Sequence, residues 1–279
     1  MEIVFISIPL GFLVGVVLAL TGAGATIIAV PLLILGVHLE VAEAAPIALL
    51  AICAASTIAA FHAHLQGTVR YRAAGFIAVT GVMAAPVGLW LAHKLPNAHL
   101  AILFALILFA VAVDVWRHAE KQPSETAAKD AQRELHIPST PCQLEYNGGR
   151  LRWTWPCARV LALAGALVGF LSGLLGVGGG FVVVPVLKRV SNLTMQSIVA
   201  TSLAVVGLIS AMGVISATAM SQLDWAIAFP FTFGTLMGML IGRIFAQRLT
   251  GPRLQQGFAV IAVIMAAVML FRVMSTLPH

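Results

Sequence analysis

Charge is scarce in this chain. Only 9% of its 279 residues are Asp, Glu, Lys or Arg, aromatic residues make up 8%, and there are three cysteines. With 60% hydrophobic residues and a mean hydropathy of +1.01, a soluble domain could not hide its apolar surface from water. The composition excludes that class and describes a polytopic membrane protein. Cys53, Cys142 and Cys157 lack metal-ligand spacing, which argues against a zinc site or a disulfide framework. The topology derived below places Cys142 and Cys157 in the cytosol, so both are expected as reduced thiols. The apolar segments contain almost no carboxylates, and without a buried acidic pair a metal-cation transporter is not indicated. No P-loop supports ATP-driven transport by this chain alone. No metal or cofactor is expected. The start Met1–Glu2–Ile3 has no basic n-region, so no cleaved signal peptide is expected.

Five apolar segments fill each half, at about 3–20, 25–37, 42–62, 73–92 and 98–116, then about 157–175, 179–190, 195–218, 224–247 and 252–273. A hydrocarbon core of about 30 Å needs roughly 20 helical residues, and the second segment of each half is too short. Segments one and two therefore read as a broken, re-entrant pair. The halves also repeat each other at a constant separation of 154 residues: Gly11 with Gly165, Gly15 with Gly169, Gly22 with Gly176, Gly24 with Gly178, and Pro31 with Pro185. The match runs on without a gap through Ser56/Ser210, Gly88/Gly242, Leu95/Leu249 and Leu100/Leu254. Leu, Ala and Val match easily among apolar sequences; the glycine and proline pairs do not.

If each broken pair returns to its starting side, three crossings remain per half, and an odd number turns the second repeat upside down. The expected fold is therefore all-α and polytopic, with two inverted-topology repeats, each a re-entrant helix pair plus three transmembrane helices. Residues 1–116 form the first membrane repeat, 117–156 a cytoplasmic connector and 157–279 the second repeat. The net charge of +6 falls in the loops, where it reports orientation rather than nucleic-acid binding. With both termini outside, Arg70, Arg72, Arg159, Lys188, Arg189, Arg248 and the connector's basic residues face the cytoplasm, and Lys94 and Arg272 remain outside. Within the connector, alternation around Asn147–Gly148 predicts a β-hairpin over 143–155. Trp153 and Trp155 suit the membrane interface.

The chemistry points to the two breaks, Thr21–Gly22–Ala23–Gly24–Ala25–Thr26 and Ser172 through Gly176–Val177–Gly178–Gly179–Gly180. Irregular backbone at membrane depth is tolerated only where it is buried in protein or lines a cavity. Short helices beginning after these glycines would direct N–H groups and partial positive charge at a small anion. Consecutive glycines weaken a helix without improving one packing face, so Gly178–Gly179–Gly180 reads as a break rather than a packing stripe. Gly11/Gly15 and Gly234/Gly238/Gly242 fit close helix packing instead. The expected substrate-binding set is Thr21, Gly22, Gly24, Thr26, Ser56, Ser172, Gly176, Gly178, Gly179, Gly180, Thr201, Ser202 and Ser210. For the hydroxyls the competing role is a bond to their own helix backbone. His62 and His64 suit an interfacial position or proton relay, and Arg243 a snorkelling side chain or an attractor of anions.

The run Gly169–Phe170–Leu171–Ser172–Gly173–Leu174–Leu175–Gly176–Val177–Gly178–Gly179–Gly180 to Pro185, followed by Ala200–Thr201–Ser202–Leu203, resembles the TauE/SafE family of toluene-sulfonate uptake permeases. The resemblance covers nearly the whole chain. It implies transport of small sulfur-containing anions such as sulfite and organosulfonates, with the lipid bilayer as surroundings. The first half departs from the pattern, with Ala25–Thr26 opposite Gly179–Gly180 and Pro46–Ile47–Ala48 opposite Ala200–Thr201–Ser202, so the two breaks are unequal. The expected function is a secondary anion transporter in the plasma membrane, working by alternating access of the inverted halves and open to coupling with protons or another ion. A channel-like anion pore is the alternative. An intramembrane serine hydrolase at Ser172 is a lesser one, since Phe170 stands where a Gly-x-Ser-Gly motif needs glycine. A reporter fused to the C-terminus is expected outside the cytoplasm; a reporter active only in the cytoplasm overturns this orientation.

Overall fold

The computed structural model describes residues 2–21, 26–96, 99–113, 155–190, 195–219, 223–246, 260, 263–268 and 271. All regular structure among them is α-helix: α1 (Glu2–Thr21), α2 (Thr26–Gly36), α3 (Val41–Leu65), α4 (Tyr71–Lys94), α5 (His99–Val113), α6 (Trp155–Leu175), α7 (Gly180–Val190), α8 (Met195–Ala219) and α9 (Trp225–Ala246). Long uncharged runs take this form because in lipid a helix satisfies every backbone group internally. Five of the described helices are long and apolar enough to cross a membrane, α3, α4, α6, α8 and α9. The 11-residue helices α2 and α7 are not. Thus the shortness read from the sequence holds. The connector up to residue 154, with all but the last residue of its expected hairpin, lies outside the described residues, and Trp155 and Pro156, expected to end the connector, instead open α6.

Acidic residues open two of the helices. The Glu43 carboxylate accepts the Glu40 N–H before α3, at 3.3 Å, and Asp224 accepts the Ala226 N–H at the start of α9, at 2.9 Å. Both put negative charge at the positive end of a helix dipole.

Two helix pairs pack with their backbones almost touching. A Cβ on Gly11 would lie 2.1 Å from the Phe231 carbonyl oxygen, and one on Gly15 would lie 2.0 Å from that of Thr235. Contact advances in the same direction along both chains, so α1 and α9 run parallel. Shifted by 154 residues, the same contacts recur between α6 and α4. A Cβ on Gly165 would fall 2.5 Å from the Ile77 oxygen, and one on Gly169 1.9 Å from the Gly81 oxygen. The first helix of each repeat therefore lies along the fourth helix of the other.

The equivalent helices α3 and α8 cross at the centre, and they pass antiparallel. Leu49 meets Gly213, the Cys53 thiol lies 3.7 Å from the Gly207 oxygen, and Ala63 shares a small cluster with Ala200. Cys53 and Gly207 are themselves 154 residues apart, so a repeat position touches its own counterpart at the crossing. This geometry is compatible with inverted repeats.

The pair α6–α7 doubles back. Gly178, at its tip, sits beside Val206 and Ser210 of α8, whereas Val190 is followed five residues later by Met195, the first residue of α8. At 3.8 Å per residue the end of α7 lies within about 19 Å of the start of α8. α7 therefore runs from the middle of α8 back towards its beginning.

Two apolar cores result. One draws on α1, α2, α3, α5 and α9, with Leu203 and Val206 of α8 and the hairpin tip added. The other is built from α4, α6, α7 and α8, including Ile77, Val168, Val183 and Ile209. At one end of the bundle stand Arg70, Arg72, Arg159, Lys188 and Arg243; the opposite end holds Glu40, Glu43, Lys94 and Asp224.

One expectation needs correction. Cys157 is disulfide-bonded, with its partner outside the described residues, whereas the sequence reading had it reduced. That reading rested on compartment alone, while bonding also requires a particular approach of two Cα atoms that spacing in sequence does not reveal.

Gly169→Leu should cost at least about 3 kcal/mol of stability, because overpacking here meets backbone rather than a movable side chain. Gly75→Leu, where an added Cβ meets nothing within 4 Å, should be neutral or mildly stabilising. Thermal unfolding in detergent distinguishes them, and equal behaviour would show that the α4–α6 contact is looser than described.

Candidate functional site

The hairpin tip is the one described place where irregular backbone enters the middle of the bundle. α6 ends with the Gly176 N–H bonded to the Ser172 oxygen at 2.9 Å, and α7 begins at Gly180. Between them Gly176, Gly178 and Gly179 take φ of +69°, +67° and +67°. An L side chain in that region costs roughly 1–2 kcal/mol per residue. The run from Ser172 to Gly180 is buried throughout.

Close neighbours add a second reason for glycine. A Cβ on Gly176 would fall 2.2 Å from the Ala45 Cβ, and one on Gly179 would fall 2.3 Å from a Val168 methyl. At Gly178 the neighbours are the Ser210 hydroxyl at 3.0 Å and methyl groups of Ile52 and Val206 at 3.3 Å. Ile52 and Val206 belong to α3 and α8 on either side of their crossing. The tip is thus level with the middle of two spanning helices.

α7 starts against this lining. The first N–H groups of a helix have no carbonyl within it to bond. Here Val182 and Val183 turn theirs onto the Gly179 oxygen, at 3.1 and 3.4 Å. The positive end of the α7 dipole, equivalent to about half an elementary charge, is directed at the tip.

Ser210 is the informative hydroxyl. It is fully buried, and its oxygen has no hydrogen-bond partner. Its counterpart Ser56 is equally buried but donates to the Ile52 oxygen at 2.5 Å. Mid-helix Ser and Thr usually bond the carbonyl one turn back, as Thr201 does to Ser197 at 2.6 Å, Ser202 to Val199 at 2.8 Å and Thr235 to Phe231 at 2.8 Å. Thr232 is the other buried hydroxyl without a partner among the described residues. Leaving such a group dry and unbonded costs about 1–3 kcal/mol, and Ser210 bears that cost beside a helix N-terminus.

Of the expected site residues, the structure brings together Gly176, Gly178, Gly179, Gly180 and Ser210, with Ser172 buried one turn before the tip. Ser56 lies on α3 near the crossing, where its oxygen and that of Thr57 face Gly207 at 3.3 Å from an added Cβ. Thr201 and Ser202 are not brought to the tip. They sit roughly 12–14 Å below Ser210 along α8, and Thr201 instead accepts the Arg70 N–H at 3.2 Å, tying the start of α4 to α8. Gly22 and Gly24 lie outside the described residues, as do the side chains of Thr21 and Thr26.

Ile52 and Val206 were not anticipated. Their 154-residue separation, the same as that of Cys53 and Gly207, is the signal that could have found them. At the basic end, Arg243 Nη2 donates to His62 Nδ1 at 2.8 Å. Tyr71 and His64 form a second hydrogen bond there. Among the described residues no group of three or more His, Cys, Asp or Glu is placed to hold a metal ion.

Ser210→Ala should leave stability unchanged or raise it by up to about 1 kcal/mol, because it removes an unbonded polar group. Ser56→Ala should cost about 0.5–1.5 kcal/mol for its lost bond. Denaturation of the two variants checks the contrast, and a clear loss with Ser210→Ala would reveal a structural partner for that hydroxyl.

Comparison with known proteins adds independent findings. The profile of the family described as "Sulfite exporter TauE/SafE" matches residues 7–269. A "Probable membrane transporter protein" of Xylella fastidiosa (strain 9a5c) is 28% identical over 274 residues, covering 96% of this chain and 95% of its own. The "Probable membrane transporter protein YjnA" of Bacillus subtilis (strain 168) is 23% identical over 258 residues, covering 89% and 92%. No solved structure matches.

Proposed function

The chain belongs to the TauE/SafE sulfite exporter family, and from that premise we propose that it is a secondary carrier of a small sulfur oxyanion, sulfite or an organosulfonate. The observation that carries this reading is the unbonded, buried Ser210 hydroxyl 3.0 Å from the Cβ position of Gly178. A bound anion supplies the acceptor that this hydroxyl lacks. Its other oxygens accept N–H groups at the start of α7, where half a charge acting at about 4 Å contributes about 2 kcal/mol at an effective dielectric of 20.

Ile52, Val206 and Val168 supply apolar walls for a short carbon chain or a bare sulfur lone pair. No Lys or Arg appears in the described lining. A second negative charge would enter largely uncompensated, at a desolvation cost of several kcal/mol. The reading therefore favours a monoanion, a sulfonate or hydrogen sulfite, over a dianion such as sulfate.

The two repeats lie inverted across the plasma membrane in this proposal, and the substrate sits where the hairpin meets the α3–α8 crossing. The end bearing Arg70, Arg72, Arg159, Lys188 and Arg243 faces the cytoplasm in this proposal, on the bias of basic residues to that side, and the disulfide of Cys157 at the same end is the observation that counts against it. Transport proceeds by opening the site first to one face and then to the other.

Purified protein in liposomes should move labelled sulfite or methanesulfonate, with sulfate a poor competitor. A hydrogen bond to a charged group is worth about 1.5–3 kcal/mol, so Ser210→Ala should weaken apparent affinity by roughly 10- to 100-fold. The absence of any flux of these anions by the unsubstituted protein, in either direction and with or without a pH gradient, overturns the substrate class. Unchanged affinity in Ser210→Ala removes the hydroxyl from the site.

A further inference from the structure

Resting on the carrier reading above, we propose that the units moving against each other during transport are not the two sequence repeats. Each is a body that takes three helices from one repeat and the fourth from the other. One body contains α1, α2, α3 and α9, and the second contains α6, α7, α8 and α4. They pivot where Cys53 meets Gly207.

Backbone contact defines what must move together. α1 is held to α9, and α6 to α4, by approaches that leave no room for even a methyl group, with added Cβ atoms falling 1.9–2.2 Å from carbonyl oxygens at Gly11, Gly15, Gly169 and Gly234. Parting or sliding such helices would forfeit the dispersion contact that replaces a hydrophobic driving force in lipid. Each of these contacts joins a helix of residues 1–116 to a helix of residues 157–279. The repeats therefore cannot rock as separate blocks.

Polar ties fall within the same bodies. The Arg243–His62 bond joins α9 to α3, and the bond from Arg70 to Thr201 joins the start of α4 to α8. Of the two apolar cores, one keeps to a single body, while the other spans the seam and takes in Leu174, Leu175 and Val177 of the hairpin and Leu203 and Val206 of α8. The core of α4, α6, α7 and α8 includes no residue from α1, α2, α3 or α9 among those described.

One equally close approach crosses between the bodies, an added Cβ on Gly176 falling 2.2 Å from the Ala45 Cβ of α3, and it belongs with Cys53–Gly207 at the pivot; the rest of the α3–α8 surface is of a different kind. α3 and α8 meet through Leu49, Cys53 and Ser56 on one side and Ala204, Gly207 and Gly213 on the other. The only cross-seam hydrogen bond described between these helices is the 3.7 Å thiol contact of Cys53 with the Gly207 oxygen. Small side chains and weak polar contact permit the sliding of packed helices known as shear. Antiparallel passage about a common centre makes a tilt that opens one end close the other.

The proposed anion site lies on this seam. Gly178, Val206 and Ser210 belong to one body and Ile52 to the other. Relative motion of the bodies therefore changes access to Ser210 without breaking the hairpin that holds it.

Pairs of nitroxide labels in liposomes test the division, attached through a ketone-bearing noncanonical residue so that Cys53, Cys142 and Cys157 stay native. The label sites Phe61, Trp90 and Leu163 are all exposed. Trp90 on α4 and Leu163 on α6 belong to different repeats but to one body, and their distance should remain a single population with and without sodium sulfite. Phe61 on α3 and Trp90 belong to one repeat but to different bodies, and their distance should shift or split by about 5 Å, the scale of a one-turn displacement. A constant Phe61–Trp90 distance with a variable Trp90–Leu163 distance overturns the proposal in favour of repeats rocking against each other. Two constant distances overturn the motion altogether. These readings are independent of flux, so a chain that moves as described but carries no sulfite or sulfonate refutes the substrate assignment and leaves the two bodies intact.

Discussion

The close approach of backbone to backbone at glycine supports the rest of this molecule. Lipid tails are as apolar as Leu and Val, so helices in a bilayer gain nothing by merely hiding such side chains from water. What remains is contact at van der Waals distance, and it grows when Cβ atoms are removed from the meeting faces. Gly11 and Gly15 on α1 and Gly234 and Gly238 on α9 let each helix reach the other's carbonyl oxygens. Gly165, Gly169 and Gly173 do the same for α6 on α4. With these two pairs fixed, α3 and α8 are left to face each other at the centre.

The second constraint is electrostatic. A polar backbone that leaves the helix inside a membrane must find a partner in the protein or in a ligand. At the α6–α7 tip some of that demand is met by Ser172 and Gly179, whose carbonyls accept the N–H groups of Gly176, Val182 and Val183. The start of α7 and the Ser210 hydroxyl then form a small donor-rich surface inside an apolar wall. Packing glycines and conformational glycines thus occupy the same 15-residue stretch of sequence but answer different demands. Gly169 and Gly173 make room for a neighbouring helix, while Gly178 and Gly179 let the chain reverse.

Much of this was legible in the sequence, because membrane helices write their lengths and breaks directly in hydropathy and glycine. The shortness of α2 and α7, the start of α7 at Gly180 and the matched ends of α3 and α8 all follow from the segment boundaries and the 154-residue repeat. Partner choice was not legible. A Gly-x-x-x-Gly face announces close packing without naming its mate, so Gly11 and Gly15 could not reveal α9. Nor did the pattern separate Ser210 from Ser56, since both sit mid-helix at equivalent positions and only the conformation decides which hydroxyl bonds its own carbonyl. Thr201 and Ser202 belong to the run Ala200–Thr201–Ser202–Leu203 that carries the family resemblance, yet their hydroxyls bond the Ser197 and Val199 carbonyls, two turns or more from the tip. The Cys157 disulfide was not legible because spacing in sequence does not carry the distance between two thiols.

The pairing of α1 with α9 also has a consequence for how the protein is made. α1 ends at residue 21 and α9 begins at residue 225, so the first helix leaves the ribosome long before its closest neighbour exists. At a synthesis rate of about 5–20 residues per second the delay is roughly 10–40 s. During that interval a helix whose contact face is a bare glycine stripe lies in the bilayer without its mate. It must be shielded by lipid or by the insertion machinery, and the same stripe is open to mispairing with any other small-residue face nearby. α6 faces no such wait, because α4 has already been inserted when it arrives. The two halves of the molecule therefore have unequal histories, and the pairing of α1 is decided last, when α9 arrives.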